Sequence, residues 1–217
     1  MSTKPTSVLN TFLAVARQVE ATLDSNALKE GWKDPSALEG YTVAGLAGHL
    51  ARGLLTVENY IGAFTDDTTH ATDAAGYIVT VLGTHDPIDS DFHRTVRARS
   101  LEAASNGPTS LAREYKEVRQ RLSERLPHIP ADETIQVLQG VVVTVEEYLR
   151  TRLVELVIHL DDLSVSVGQD FTKDLPQEAY KEVAAVLAQV AVLRNGGLNV
   201  IRGLARRERH IDPVRAL

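Results

Sequence analysis

No cysteine occurs anywhere in the 217 residues. The chain can therefore form no disulfide and no thiolate metal site, and any metal it binds is held by nitrogen and oxygen. If thiol chemistry takes place here, a small-molecule thiol has to bring the sulfur. Long apolar runs are missing as well: no stretch approaches the roughly 18 residues a membrane span needs. The N-terminal "MSTKPTSVLNTFLAVARQ" lacks the continuous apolar segment of a secretory signal. Both absences predict a cytoplasmic protein with no membrane partner. An excess of basic charge is lacking too, since the formal net charge is -6, which argues against broad nucleic-acid binding. The locally basic "RGLARRERH" near the C-terminus reads as a solvated helix face.

What is present is ordinary for a globular protein, with 43% hydrophobic and 24% charged residues. The length suits one main domain with a short appendage. Apolar residues at helical spacing predict a first helix over residues 6–28, from Leu9, Phe12, Leu13, Ala16, Val19 and Leu23. The loop "KEGWKDPSALEGY" follows. Thr42 sits where an N-cap belongs, ahead of a second helix reaching Phe64, with Leu46, Leu50, Leu54, Val57 and Ile61 on one face and His49 at its border.

Signals weaken over 66–90, where "AAGYIVTVLG" fits a short helix or turn and "THDP" a break. Helices are predicted over 91–105 and 109–126, the second charged and exposed. "ETIQVLQGVVVTVEEY" is rich in β-branched residues and fits a short strand pair before a helix over 145–167 that stops at Gly168. A further helix follows Pro176 to Leu193, "NGG" breaks it, and a last short helix runs to Arg209. The whole reads as antiparallel helices in one bundle, residues 1–168, with a helical C-terminal extension, residues 169–217, packed on it.

The helix over 145–167 is unusual. With Glu155 at zero on a helical wheel, Tyr148, Thr151, His159, Asp162 and Ser166 all fall within roughly 40° of it, and the rest is almost entirely aliphatic. A helix apolar around most of its circumference is buried, and its polar residues then need partners. A divalent cation would remove the desolvation penalty of a buried carboxylate. Glu155 and His159, at i and i+4, lie one above the other and can share one ion. His49 is the third candidate ligand. Gly45, Gly48 and Gly53 around it each cost up to about 1 kcal/mol inside a helix, which implies close approach of a neighbour or space kept open for a substrate. Two histidines and one carboxylate leave a coordination position open, as catalytic sites do. The bland alternatives are a solvated Glu–His pair and a satisfied core histidine.

These residues carry a resemblance. "W-x-x-P-S-x-L-x-G-Y-T-V-x-x-L-x-x-H-L" (residues 32–50) with "Y-L-R-T-R-L-V-E-L-V-I-H-L-D-D-L" (residues 148–163) resembles the mycothiol-dependent maleylpyruvate isomerase family of the DinB-like superfamily. The resemblance implies a mainly α, four-helix bundle of actinobacterial type. It implies a metal, zinc above other divalent ions, on His49, Glu155 and His159. Asp162 would orient His159, and Arg152 would neutralise or position Glu155 unless it is a surface arginine in an ion pair. The namesake isomerase has a further domain after the bundle, whereas the residues after Gly168 here pattern as helices.

The implied activity is metal activation of a thiol such as mycothiol. The thiol would serve S-transfer to a small electrophile, or its thiol-assisted isomerisation, with the shorter chain favouring transfer. No residue is assigned a direct catalytic role. The alternatives are a non-catalytic metal-binding bundle with a stress-related or regulatory role, and a helical interaction module without metal. A homodimer is compatible with the family. His70, His85, His93, His128 and His210 read as surface histidines, "HRTVRARS" as a solvated face able to meet an anion, and Trp32 and Tyr41 as anchors of the first loop.

Overall fold

The computed structural model describes residues 6–83, 90–206 and 216–217. The predicted first helix is two. α1 (Ser7–Leu23) is capped by Thr6, and the chain breaks at Asp24 because the Ser25 hydroxyl accepts from Leu28 N–H and starts α2 (Asn26–Glu30). α3 (Val43–Tyr60) begins at Thr42, whose hydroxyl accepts from Gly45 N–H, and ends at Ile61, short of Phe64. Gly62, at φ +114°, turns the chain away, so Phe64 lies outside the helix and is 47% exposed.

β1 (Ala71–Thr72) leads into α4 (Ala74–Leu82), followed by α5 (Asp91–Ala103) and α6 (Pro108–Arg125). The strand pair of the sequence reading is β2 (Thr134–Gln136) against β3 (Val142–Thr144), antiparallel with Ile135 opposite Val143. A third strand was not foreseen: β1 pairs parallel to β3. Two residues carry too little pattern to be read as a strand. β3 runs directly into α7 (Val145–Val167), whose N-cap is Thr144 and whose end is Gly168 in the left-handed region. α8 (Gln177–Asn195) and α9 (Gly197–Ala205) follow. The "THDP" break, His85, His210 and the tail from Arg207 to Arg215 lie outside the described residues.

α1, α7, α3 and α6 pack in a ring, each against the next, which is the expected mainly α bundle. α6 corrects the reading of an exposed helix. Leu111, Tyr115, Val118 and Leu122 recur along one face and are buried in the core, while Arg119 pairs with Glu20 and Arg121 with Glu58 on the other. Its high charge masked an apolar face of ordinary width. α5 lies along α3 outside the ring, and α8 packs on α7, α4 and α1. α7 is thus enclosed by α1, α3, α4 and α8, the reason its sequence is apolar nearly all round.

Candidate metal centre

α3 contributes His49 and α7 contributes Glu155 and His159. His49 Nε2 and His159 Nε2 each lie 3.4 Å from the same oxygen, Glu155 Oε2. One donor atom from each residue falls within 4.8 Å of the other two. Zinc bonds of about 2.0–2.1 Å at tetrahedral angles separate neighbouring ligand atoms by about 3.4 Å. The two His–Glu separations therefore match edges of a zinc tetrahedron, and the donor set of two imidazoles and a carboxylate suits that ion.

The far nitrogens are held. His159 Nδ1 is 2.9 Å from Asp162 Oδ2, and His49 Nδ1 is 3.2 Å from Ser100 Oγ. The Ser100 hydroxyl donates to the Val96 carbonyl at 2.8 Å, so its oxygen is left to accept from His49 Nδ1–H. On a neutral ring these contacts keep the proton on Nδ1, the tautomer whose Nε2 lone pair can meet a cation. Ser100 is fully buried and was missed as a site residue; its signal was a small polar residue closing the "HRTVRARS" run.

The helix approach that makes this possible comes from glycine. A Cβ on Gly48 would lie 2.0 Å from the Ser100 carbonyl oxygen, and one on Gly53 would lie 2.9 Å from Leu156 Cδ2. Gly48 admits α5 and Gly53 admits α7. Of the two expectations for these glycines, close approach of a neighbour is what both of them serve.

The cluster is sheltered but open. Side-chain exposure is 18% for His49, 14% for His159 and 33% for Glu155. Burial pushes the Glu155 carboxyl up, but hydrogen bonds from His159 and His49 and the charge of Arg152 outweigh it and hold it well below the usual range. Burial lowers His49. Burial also opposes charge on His159, yet Asp162 and Glu155 raise it to about 9. Tyr41 borders the site, its ring centroid 5.6 Å from that of His49. Trp32 anchors the loop instead, its carbonyl accepting from Ala44 N–H. Ser166, in the polar band, accepts from Ala37 N–H and ties the same loop to α7.

Arg152 is no surface ion-pair arginine. Its guanidinium carbon sits 5.0 Å from the Tyr148 ring centroid and 5.8 Å from that of Tyr77, and Nε donates to Thr151 Oγ1 at 3.1 Å. Elsewhere, a cleft of about 330 Å³ lined by Thr6, Leu9, Ile129 and Leu149 includes none of the cluster residues. His70 is exposed beside Asp67, and His93 and His128 are not drawn into the cluster.

The sequence profile described as "Mycothiol maleylpyruvate isomerase N-terminal domain" matches residues 12–164. The chain belongs to that family. The match spans α1 through nearly all of α7, so it contains the bundle and every residue of the cluster, and it supports the DinB-like reading of the fold. No curated protein and no solved structure matches. No helix among the described residues is long and apolar enough to cross a membrane.

Proposed function

We propose that His49, Glu155 and His159 hold a divalent cation, zinc by their donor set, and that the protein is an enzyme of low-molecular-weight thiol chemistry. The thiol is mycothiol or a close equivalent. The reaction is transfer of its sulfur to a small electrophile, or thiol-assisted isomerisation of one. The observation that supports this most strongly is the pair of 3.4 Å His–Glu separations, with each outer imidazole nitrogen already occupied.

When bound, the cation supplies Lewis acidity that lowers the pKa of a thiol to give thiolate at neutral pH. The chain does the rest. His49 and His159 present neutral Nε2 atoms, and Glu155 brings one negative charge toward balancing the ion. Asp162 and Ser100 keep the Nδ1 protons in place, and the flanking aliphatic residues of α7 limit water. Because the chain has no cysteine, the sulfur comes from the cosubstrate. We divide the chain at Gly168, with the extension beyond it supporting α7 rather than supplying ligands.

Elemental analysis of purified protein beside a His49→Ala variant tests the metal. About one zinc per chain in the parent and little in the variant is the expected result; equal content overturns the site. Turnover of electrophiles with mycothiol, compared with glutathione and bacillithiol, tests the chemistry. Metal uptake without turnover by any thiol leaves a non-catalytic metal-binding bundle.

A further inference from the structure

We infer that the outer face of α8, continued by α9, is the contact surface of a two-fold dimer of this chain, with α8 lying antiparallel on α8 of the partner subunit. The inference goes beyond the proposed function and does not rest on it, since it uses none of the cluster residues.

The starting observation is a helix that is apolar all round but covered on one side only. From Val183 to Leu193 the chain carries no charged residue, and Gln189 is the only polar side chain in that run. Such a helix belongs in an interior. α7 has the same character and is enclosed. α8 instead packs on α7, α4 and α1, burying Ala179, Val183, Val186, Val190 and Ala191, and leaves Ala184, Ala185, Gln189, Val192 and Leu193 exposed. On that outer side Ala185, Ala188 and Val192 recur at intervals of three and four residues, the spacing of a seam between two helices.

α9 extends the bare surface. It starts beside the seam, since a Cβ on Gly197 would lie 3.7 Å from Val192 Cγ1. Val200 is its buried anchor, while Leu198 and Ile201 are each 61% exposed and Leu204 76%. Apolar side chains gathered in this way on a surface mark an interaction site.

Shape and charge select a second copy as the occupant. The small residues Ala184, Ala185 and Ala188 come first along the outer side of α8, and the larger Val192 and Leu193 lie toward its C-terminal end. A two-fold axis passing beside Ala188 and Gln189 sets Val192 against the partner's Ala185 and Leu193 against the partner's Ala184, so that each large side chain meets a small one. The uncharged run leaves nothing to repel across the axis. The ends attract. Residues 174–182 hold Asp174, Glu178 and Glu182 against one lysine, whereas residues 194–206 hold three arginines and no carboxylate. Antiparallel pairing brings the acidic stretch of each chain over the basic stretch of the other, and parallel pairing would stack like on like.

Sedimentation equilibrium of the full chain tests the dimer. Two helices supply an interface at the small end of the specific range, so association in roughly the micromolar range is expected. The parent protein should approach twice the 23.7 kDa of one chain as its concentration rises. Ala185→Glu and Ile201→Glu each bury a charge in the apolar contact and should raise the dissociation constant about 100-fold or more. Both should keep the circular dichroism and zinc uptake of the parent, because these residues are exposed in the single chain and the cluster lies between α7 and α3. Phe64→Glu, at an exposed apolar residue elsewhere, should dimerise like the parent. The absence of cysteine allows a check on geometry: a short bismaleimide should link two chains of Gln189→Cys, near the axis, and leave Phe64→Cys unlinked. A parent protein of 23.7 kDa at every concentration overturns the inference without recourse to any variant. So does a dimer that both glutamate variants leave intact. Binding of a monomeric parent to phosphatidylglycerol vesicles, lost in Ile201→Glu, would give the face to a lipid surface and overturn it as well.

Discussion

Gly48 faces the carbonyl oxygen of Ser100 so closely that a methyl group on it would stand 2.0 Å from that oxygen. The obstacle is backbone, so α3 and α5 would have to separate. Gly48→Ala should destabilise the fold by about 3 kcal/mol, the upper range for overpacking, lowering Tm by roughly 6–12 °C in a chain of this size. Gly53→Ala meets only the tip of Leu156 at 2.9 Å and should cost distinctly less. Thermal melting of both variants decides the order, and a milder effect at Gly48 would contradict the packing described.

Ser100 and Asp162 hold the outer nitrogens of the two histidines at 3.2 and 2.9 Å. Ser100→Ala and Asp162→Asn should each fold and weaken zinc binding about 10- to 100-fold, the usual effect of removing such partners. Competition with a chromophoric chelator gives the affinity. Parent-like values in both would show that the tautomers need no support.

Proton release should accompany metal uptake. In the metal-free protein, burial works against charge on His159, but Asp162 and Glu155 raise its pKa from 6.5 to about 9. A folded-state value above the unfolded one means that this charge stabilises the metal-free fold fully below about pH 6.5, and that the contribution is lost as pH climbs toward about 9. A cation needs the neutral ring, so its affinity should rise by up to roughly tenfold per pH unit across the same window. Calorimetry at pH 7.5 in buffers of different ionisation enthalpy should show a proton leaving per zinc bound. Heats independent of buffer would refute it.

Tyr115 is fully buried with its hydroxyl unpartnered among the described residues. Tyr115→Phe removes a polar group that lost its water and gained nothing, so stability should hold or rise by about 1 kcal/mol. A clear fall in Tm would mean that the hydroxyl has a partner, such as an ordered water.

The sequence by itself determined most of the helices and the three candidate ligands. Thr42 and Thr144 as N-caps, Gly168 as a stop, and the narrow polar band of α7 are local features, fixed by spacing and by backbone geometry at single residues. His49, Glu155 and His159 were legible because a carboxylate and imidazoles are conspicuous against aliphatic neighbours. The parallel strand β1 was not, since its pairing to β3 is a long-range choice that two residues cannot announce. Neither was the break at Ser25, where a side-chain cap competes with an unbroken apolar stripe. Only the tertiary structure decided that α6 belongs in the ring, that Ser100 reaches His49, and that Arg152 lies against the rings of Tyr77 and Tyr148. Each of these depends on which helices become neighbours, and that is settled by the joint packing of all the apolar faces, which no single segment contains.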